Sequence, residues 1–234
     1  MLPIQNGLRS FASERPRVQL EHVAGSAIDD ALDRETRLRL DVCPGGLDGL
    51  RASQHVTFAT EDSSGRLLGL IAATSRSTTH EPFLILASVL VSSDRPGHRL
   101  LRRLLALLVL RVAGREGVPL AIAAVLPDAA IATTICDLSA AFTESVAYPQ
   151  GVGETVSLAT ARLATRIARE VAPSHSYDVA RSMLRSGGGG QTARSTALSC
   201  GLAERPDEYL ALLDLRGADE TVIIDDARAA CRRR

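Results

Sequence analysis

Phe83-Leu-Ile-Leu-Ala-Ser-Val-Leu-Val91 is an apolar run interrupted only by Ser88, and a Leu-rich helix pattern follows it a few residues later. A run of this length suits a strand buried on both faces. From His98 to about Arg115, the residues Leu100, Leu101, Leu104, Leu105, Leu108 and Val112 lie within a helical pattern whose apolar positions nearly encircle it. Such a helix needs cover on more than one side. That cover can come from within one subunit or from a homodimer. Between the two elements, Ser92-Ser-Asp-Arg-Pro-Gly97 is turn chemistry.

The flanking elements are simpler. His55–Thr60 and Leu67–Ala73 read as two strands of a hairpin joined by the turn residues Glu61–Arg66. Thr74 to Pro82 is a polar link. Pro119–Leu126 is another apolar strand, a helix is predicted from about Ala129 to Ala141, and Phe142–Tyr148 is a short strand or loop. Upstream, residues 1–25 are mixed and polar, Ser26 is a candidate cap for a helix from Ala27 to about Asp41, and Pro44-Gly45-Gly46 stops it. A short helix or turn is expected around Leu47–Ala52. Downstream, Val156–Val171 is helical by its stripe and Tyr177–Arg185 reads as a short helix. Ser186–Ser195, with Gly187 to Gly190 in a row, is a flexible loop. Glu208–Arg216 and Thr221–Ile224 read as strands of a second hairpin, and Cys231–Arg234 as a frayed tail.

Composition narrows the function. The 234 residues carry 27 basic and 27 acidic side chains, so no net field favours nucleic acid or anionic lipid. Aromatic residues make up 3% of the chain and Trp is absent, which disfavours base-stacking platforms. Cys43, Cys136, Cys200 and Cys231 are far apart with no Cys-x-x-Cys pair, so no metal site is expected. Met1 to Arg17 holds no apolar stretch of signal-peptide length, and no run approaches a membrane span. A cytoplasmic location without membrane or nucleic-acid partners is the expectation.

The order strand–turn–strand, buried strand, Gly-containing turn, long helix, strand, helix resembles the core of the GNAT N-acetyltransferase superfamily over residues 56–149. The physical logic is anion binding at a helix N-terminus. In that family the turn reads Gln/Arg-x-x-Gly-x-Gly/Ala; here it reads Asp94-Arg95-Pro96-Gly97-His98-Arg99, with Gly97 at the first family glycine. Asp94 and Arg99 depart from the pattern, and Arg95, Arg99 and Arg102 offset the charge of Asp94. The resemblance implies a mixed α/β fold, with a largely antiparallel central sheet flanked by helices. Residues 1–150 would form the acyl-CoA-binding core with N-terminal helices. Residues 151–234 would be a C-terminal extension that completes the sheet and shapes the acceptor pocket.

The resemblance also implies a reaction: transfer from acetyl-CoA, or another acyl-CoA, to a small-molecule or protein amine. Backbone groups of Val89, Leu90 and Val91 would hold the pantetheine arm, and Arg95, Gly97, His98 and Arg99 the pyrophosphate. The family's usual Tyr proton donor is missing. Matching Ala132 to the family alanine puts Cys136 in its place, and counting back from Phe142 puts Asp137 there. Cys136 as a proton donor and Cys136 as core packing both fit. No acid lies on the Phe83–Val91 strand, so Glu81 and His80 just before it are the nearest base candidates, with exposed loop residues as the plain alternative. A GNAT-fold binding or regulatory module without catalysis is the alternative function, and an unrelated α/β domain the third.

Overall fold

The turn at Glu61–Arg66 makes the hairpin that the sequence predicts. The carbonyl of Glu61 accepts the N–H of Gly65 at 2.7 Å, and Gly65 sits at φ +68°, where a side chain would be strained. In the computed structural model, which describes residues 18–41, 46–78, 81–91, 95–126, 142–148, 157–186 and 207–232, this hairpin is part of one sheet.

The described elements are β1 (Val18–Val23), a 3-10 turn (Gly25–Ala27), α1 (Ile28–Ala31), α2 (Arg34–Asp41), α3 (Gly46–Ala52), β2 (His55–Glu61) and β3 (Leu67–Thr78). Next come β4 (Glu81–Val91), α4 (Arg95–Glu116), β5 (Ala121–Leu126), β6 (Val146–Tyr148) and α5 (Leu158–Val171). The chain continues with β7 (His175–Asp178), β8 (Met183–Ser186), β9 (Asp207–Asp214) and α6 (Glu220–Arg232). The strands form one sheet in the order β1-β2-β3-β4-β5-β9-β8-β7, with β6 on the same edge of β9 as β8. Among the described residues β4–β5 is the one parallel pair, because α4 carries the chain back across the sheet; all other pairs are antiparallel. The mixed, largely antiparallel sheet is the fold class expected from the sequence.

Helices cover both faces. On one, Leu104, Leu105 and Leu108 of α4 are at most 1% exposed, packed with Ile223 and Ala227 of α6. The all-round apolar pattern of α4 is therefore covered within one chain, by the sheet beneath and α6 beside it. On the opposite face α1–α3 seal Val56, Phe58 and Leu70, while Leu163 and Ile167 of α5 seal Phe83, Ala123 and Leu212. Ser157 caps α5, its hydroxyl accepting the N–H of Thr160 at 3.1 Å.

Several sequence expectations change here. Residues 18–23 form an edge strand, because Gln19 and Glu21 alternate with Val18 and Leu20 at the strand period. The expected Ala27–Asp41 helix is broken: Leu32 is extended at ψ 139°, and Asp33 starts a new helix by accepting the N–H of Thr36 at 2.8 Å. Ser26 caps nothing; Ala24 precedes the 3-10 turn. Tyr177–Arg185 is a β-hairpin, not a helix, since Asp178 accepts the N–H of Ala180 at 3.1 Å in a side-chain-closed turn. Thr221–Ile224 belongs to α6, whose start is capped by Asp219 accepting the N–H of Thr221 at 2.7 Å. Cys231 is not in a frayed tail but packs from α6 towards the Arg103 carbonyl of α4 at 3.8 Å. The expected helix Ala129–Ala141 and the Gly187–Gly190 loop lie outside the described residues.

Candidate functional site

The parallel strands β4 and β5 part company. They pair from Phe83↔Ala121 to Leu86↔Ala124 and no further, although β4 stays on β3 as far as Val91↔Gly69 and β5 stays on β9 as far as Leu126↔Tyr209. The parting coincides with a bulge. On β3 the consecutive residues Ala72 and Ala73 pair with Ser88 and Leu86, leaving Ala87 as the extra residue of β4. A bulge bends its strand and sharpens the local twist, and it re-aims backbone groups next to it. Beyond it, the edge of β4 facing β5 has no strand partner among the described residues.

A cleft of about 270 Å³ lies over this parting, on the face that carries α3 and α5. Thr74 and Arg76 of β3, Ala87 of β4 and Val125 of β5 contribute to its floor, with Ser53 after α3 and Val171 at the end of α5 as walls. The side chains of β4 hold the strand in place from both faces. Val89 packs against the α4 core and Leu90 against the α1–α3 core. The backbone edge is thus the part of Ala87–Val91 left for a ligand, and an extended amide chain could add to it as a strand would. Ser88, at 4% exposure, has a buried hydroxyl without a hydrogen-bond partner among the described residues.

The first turn of α4 follows directly from this strand and contains no acidic residue. The positive end of the helix dipole favours an anion there. Gly97 is buried, His98 is partly buried and Arg99 is exposed. The side chains of Val91 and Arg95 lie outside the described residues, as does all of Cys136. Pro96 brings no N–H to that turn.

Glu81 is placed elsewhere. It opens β4, six residues before the bulge, or about 20 Å along an extended strand. Its carboxylate is held at 2.6 Å by Arg166 of α5. His80 lies outside the described residues. Beside this pair, Asp214 of β9 accepts from Arg216 at 2.7 Å and from Thr160 at 2.9 Å. Burial alone would raise the Asp214 pKa, but the side-chain and backbone bonds from Arg216 and the bond from Thr160 hold it below the usual carboxylate value. At the sheet's other end Tyr177 is pushed far above the phenol range, first by burial, while its hydroxyl meets that of Ser182 at 3.2 Å. The cleft residues Ser53, Thr74 and Arg76 were not singled out from sequence. The only signal available was that Thr74 and Arg76 alternate at the strand period just past the Leu67–Ala73 strand.

No protein-family profile matches the chain, and no curated protein does. Among solved structures, similar ones include a GNAT-family protein from Desulfovibrio desulfuricans, with 16% identity, TM-score 0.40, and coverage of 85% of this chain and 99% of that one. An IAA acetyltransferase from Bacillus cereus shows 9% identity and TM-score 0.41 over 85% of this chain and 100% of its own. A GNAT-family N-acetyltransferase from Escherichia coli, solved in complex with CoA, shows 18% identity and TM-score 0.33 over 51% of this chain and 67% of its own. The sheet, with a hairpin, a buried strand, a long helix and then a parallel strand, keeps the order of elements on which the resemblance to the GNAT core was drawn.

Proposed function

We propose that the chain is an acyl-CoA-dependent N-acyltransferase that passes an acyl group, acetyl in the simplest case, directly to an amine. The observation that carries this reading is the parting of β4 and β5 at the Ala87 bulge. The parting leaves an edge of β4 without a strand partner among the described residues, and α4 begins a few residues after β4 ends.

The residues present fit such a co-substrate. The edge from Ala87 to Val91 would hold the two amides of a pantetheine arm, and the first turn of α4 with Arg99 and Arg102 would hold the pyrophosphate. When bound, the thioester supplies an activated acyl carbon open to an amine. A backbone N–H at the bulge would polarise the thioester carbonyl without reorganising during the reaction. The cleft walls then align the amine with that carbon, so proximity contributes much of the rate. Cys136 is the candidate proton donor to the departing thiolate. Glu81, committed to Arg166 and remote from the bulge, acts in this reading as a structural anchor for α5 rather than as the base.

The arrangement of Glu81 also favours one second reading, a coenzyme-binding module without catalysis. No carboxylate lines the cleft among the described residues. The two readings part in one pair of experiments. Titration calorimetry with CoA and acetyl-CoA is expected to show saturable 1:1 binding, and thermal stability is expected to rise with ligand concentration by mass action. A thiol-release assay over a panel of amines then distinguishes them: turnover supports the transferase, and binding without turnover supports the module. Absence of any CoA binding overturns both.

A further inference from the structure

On the α5 face of the sheet two of the arginines are held by carboxylates, while Arg76, which lines the cleft, has none among the described residues. Asp214 is taken by Arg216 at 2.7 Å and Glu81 by Arg166 at 2.6 Å. Arg76 projects from β3 on this same face, opposite Phe83 and two residues from Thr78, the partner of Glu81. Diagonal neighbours of this kind have Cβ atoms roughly 7 Å apart, within reach of an Arg side chain. Yet the Glu81 carboxylate is bound by Arg166 across the layer rather than by Arg76. Among the described residues, Arg76 lines the cleft without a carboxylate partner, and it is the one charged residue of the lining. Beside it stand the hydroxyls of Thr74 and Ser53, which can both donate and accept, while Ile85, Val125 and Val171 supply apolar walls.

We propose that Arg76 is the specificity-determining residue for the acceptor, and that the acceptor is a small amine carrying a carboxylate or an equivalent planar anion. This rests on the transferase reading of the same cleft. A guanidinium presents a fork that matches a carboxylate in two parallel hydrogen bonds, fixing orientation as well as charge. With the anion on Arg76 and the amine towards Ala87, the substrate spans the floor from β3 to the bulge. Polyamines and other acceptors whose binding group is cationic meet only a like charge among the described lining residues, so they are disfavoured.

The test compares acceptors that differ only in the anion. An amino acid and its carboxamide are assayed as matched pairs against acetyl-CoA, with wild type, Arg76→Ala and Arg76→Lys. In the wild type the carboxylate member is expected to have a KM lower by roughly tenfold or more, the scale of a lost charge-assisted bond. Arg76→Ala should erase that preference, chiefly by raising KM for the carboxylate member, with CoA affinity by calorimetry unchanged. Arg76→Lys should restore part of it. Equal KM values for both members in the wild type, or a preference that survives Arg76→Ala, overturns the proposal while leaving the transferase reading intact. Where CoA binds but no acceptor turns over, the same pairs are titrated into the CoA-bound protein. Selective binding of the carboxylate member that needs Arg76 then upholds the anion site, and its absence overturns it. Loss of CoA binding in the wild type refutes the underlying function instead.

Discussion

Gly25 is where a single methyl group is expected to do the most damage. It lies in the 3-10 turn, buried against the end of α3, and a Cβ there would meet the carbonyl oxygens of Ser53 at 2.1 Å, Leu50 at 2.3 Å and Arg51 at 3.0 Å. All three are backbone atoms, so no side chain can swing aside. Reaching ordinary contact at 3.4 Å requires α3 to retreat by about 1.3 Å from the turn. A radial gap of about 1 Å forfeits a quarter to a half of each dispersion contact across it. The contacts concerned are those of Leu47 and Leu50 with Ile28, Val56 and Phe58, five residues that are each at most 4% exposed. Overpacking against a rigid backbone costs about 1–3 kcal/mol and occasionally more, and here the strain falls on three carbonyls together. Gly25→Ala is therefore expected to lose about 3 kcal/mol, a large part of the roughly 5–15 kcal/mol that holds a domain folded. Urea unfolding followed by circular dichroism measures it. Gly114→Ala serves as the opposite control: nothing lies within 4 Å of its Cβ position in α4, and helix propensity should add about 0.5–1 kcal/mol. A Gly25→Ala protein within about 0.5 kcal/mol of wild type, at unchanged denaturant slope, would refute the close approach of turn and helix.

Other outcomes follow from the same geometry. Glu81→Gln is expected to change kcat by less than tenfold, whereas loss of a general base costs about 10²–10⁴; a larger loss in the thiol-release assay would return Glu81 to the active site. Arg99→Glu, at an exposed position in the first turn of α4, should weaken CoA binding by tenfold or more and steepen with falling salt; calorimetry at two ionic strengths reads this. Asp214→Asn should destabilise the fold by about 3 kcal/mol at neutral pH by stranding Arg216. Because the folded pKa of Asp214 is depressed, its contribution is present above the unfolded carboxylate value and is lost as pH falls through the folded one; the variant should lack that acid limb. His22 is lowered from 6.5 to about 4, first by burial and then by His55, Arg115 and Arg111. The unfolded chain thus binds the extra proton between those values, so stability should fall as pH drops from 6.5 towards 4, and His22→Phe should flatten that slope in denaturation curves.

Much of the fold could be read from local chemistry. The hairpin around Gly65, the buried strand at Phe83–Val91 and the long helix after it have strong, short-range signals: turn residues, an apolar run broken only at Ser88, and leucines at helical spacing. Where propensity and cap disagreed, the cap decided. Thr221-Val-Ile-Ile224 has the β-branched composition of a strand, yet Asp219 starts a helix there and Ile223, Ala227 and Ala230 bury its face against α4. Tyr177–Arg185 has no such partner on a helical face, and Asp178 folds it back as a hairpin.

The sequence alone determined the order of elements from the β2–β3 hairpin through β4 and α4 to β5, and with it the place where an anion-binding helix could begin. It determined too that the middle of the chain must be interior. The tertiary structure decided the site. That Ala87 is the extra residue of β4 depends on its register with β3, and that β4 and β5 separate after Leu86 depends on β5 being drawn along β9 from far down the chain. That Glu81 is bound while Arg76 is left over depends on where Arg166 of α5 comes to lie. Each is a relation between residues distant in sequence, set by sheet register and layer packing, which no periodicity within a single segment encodes.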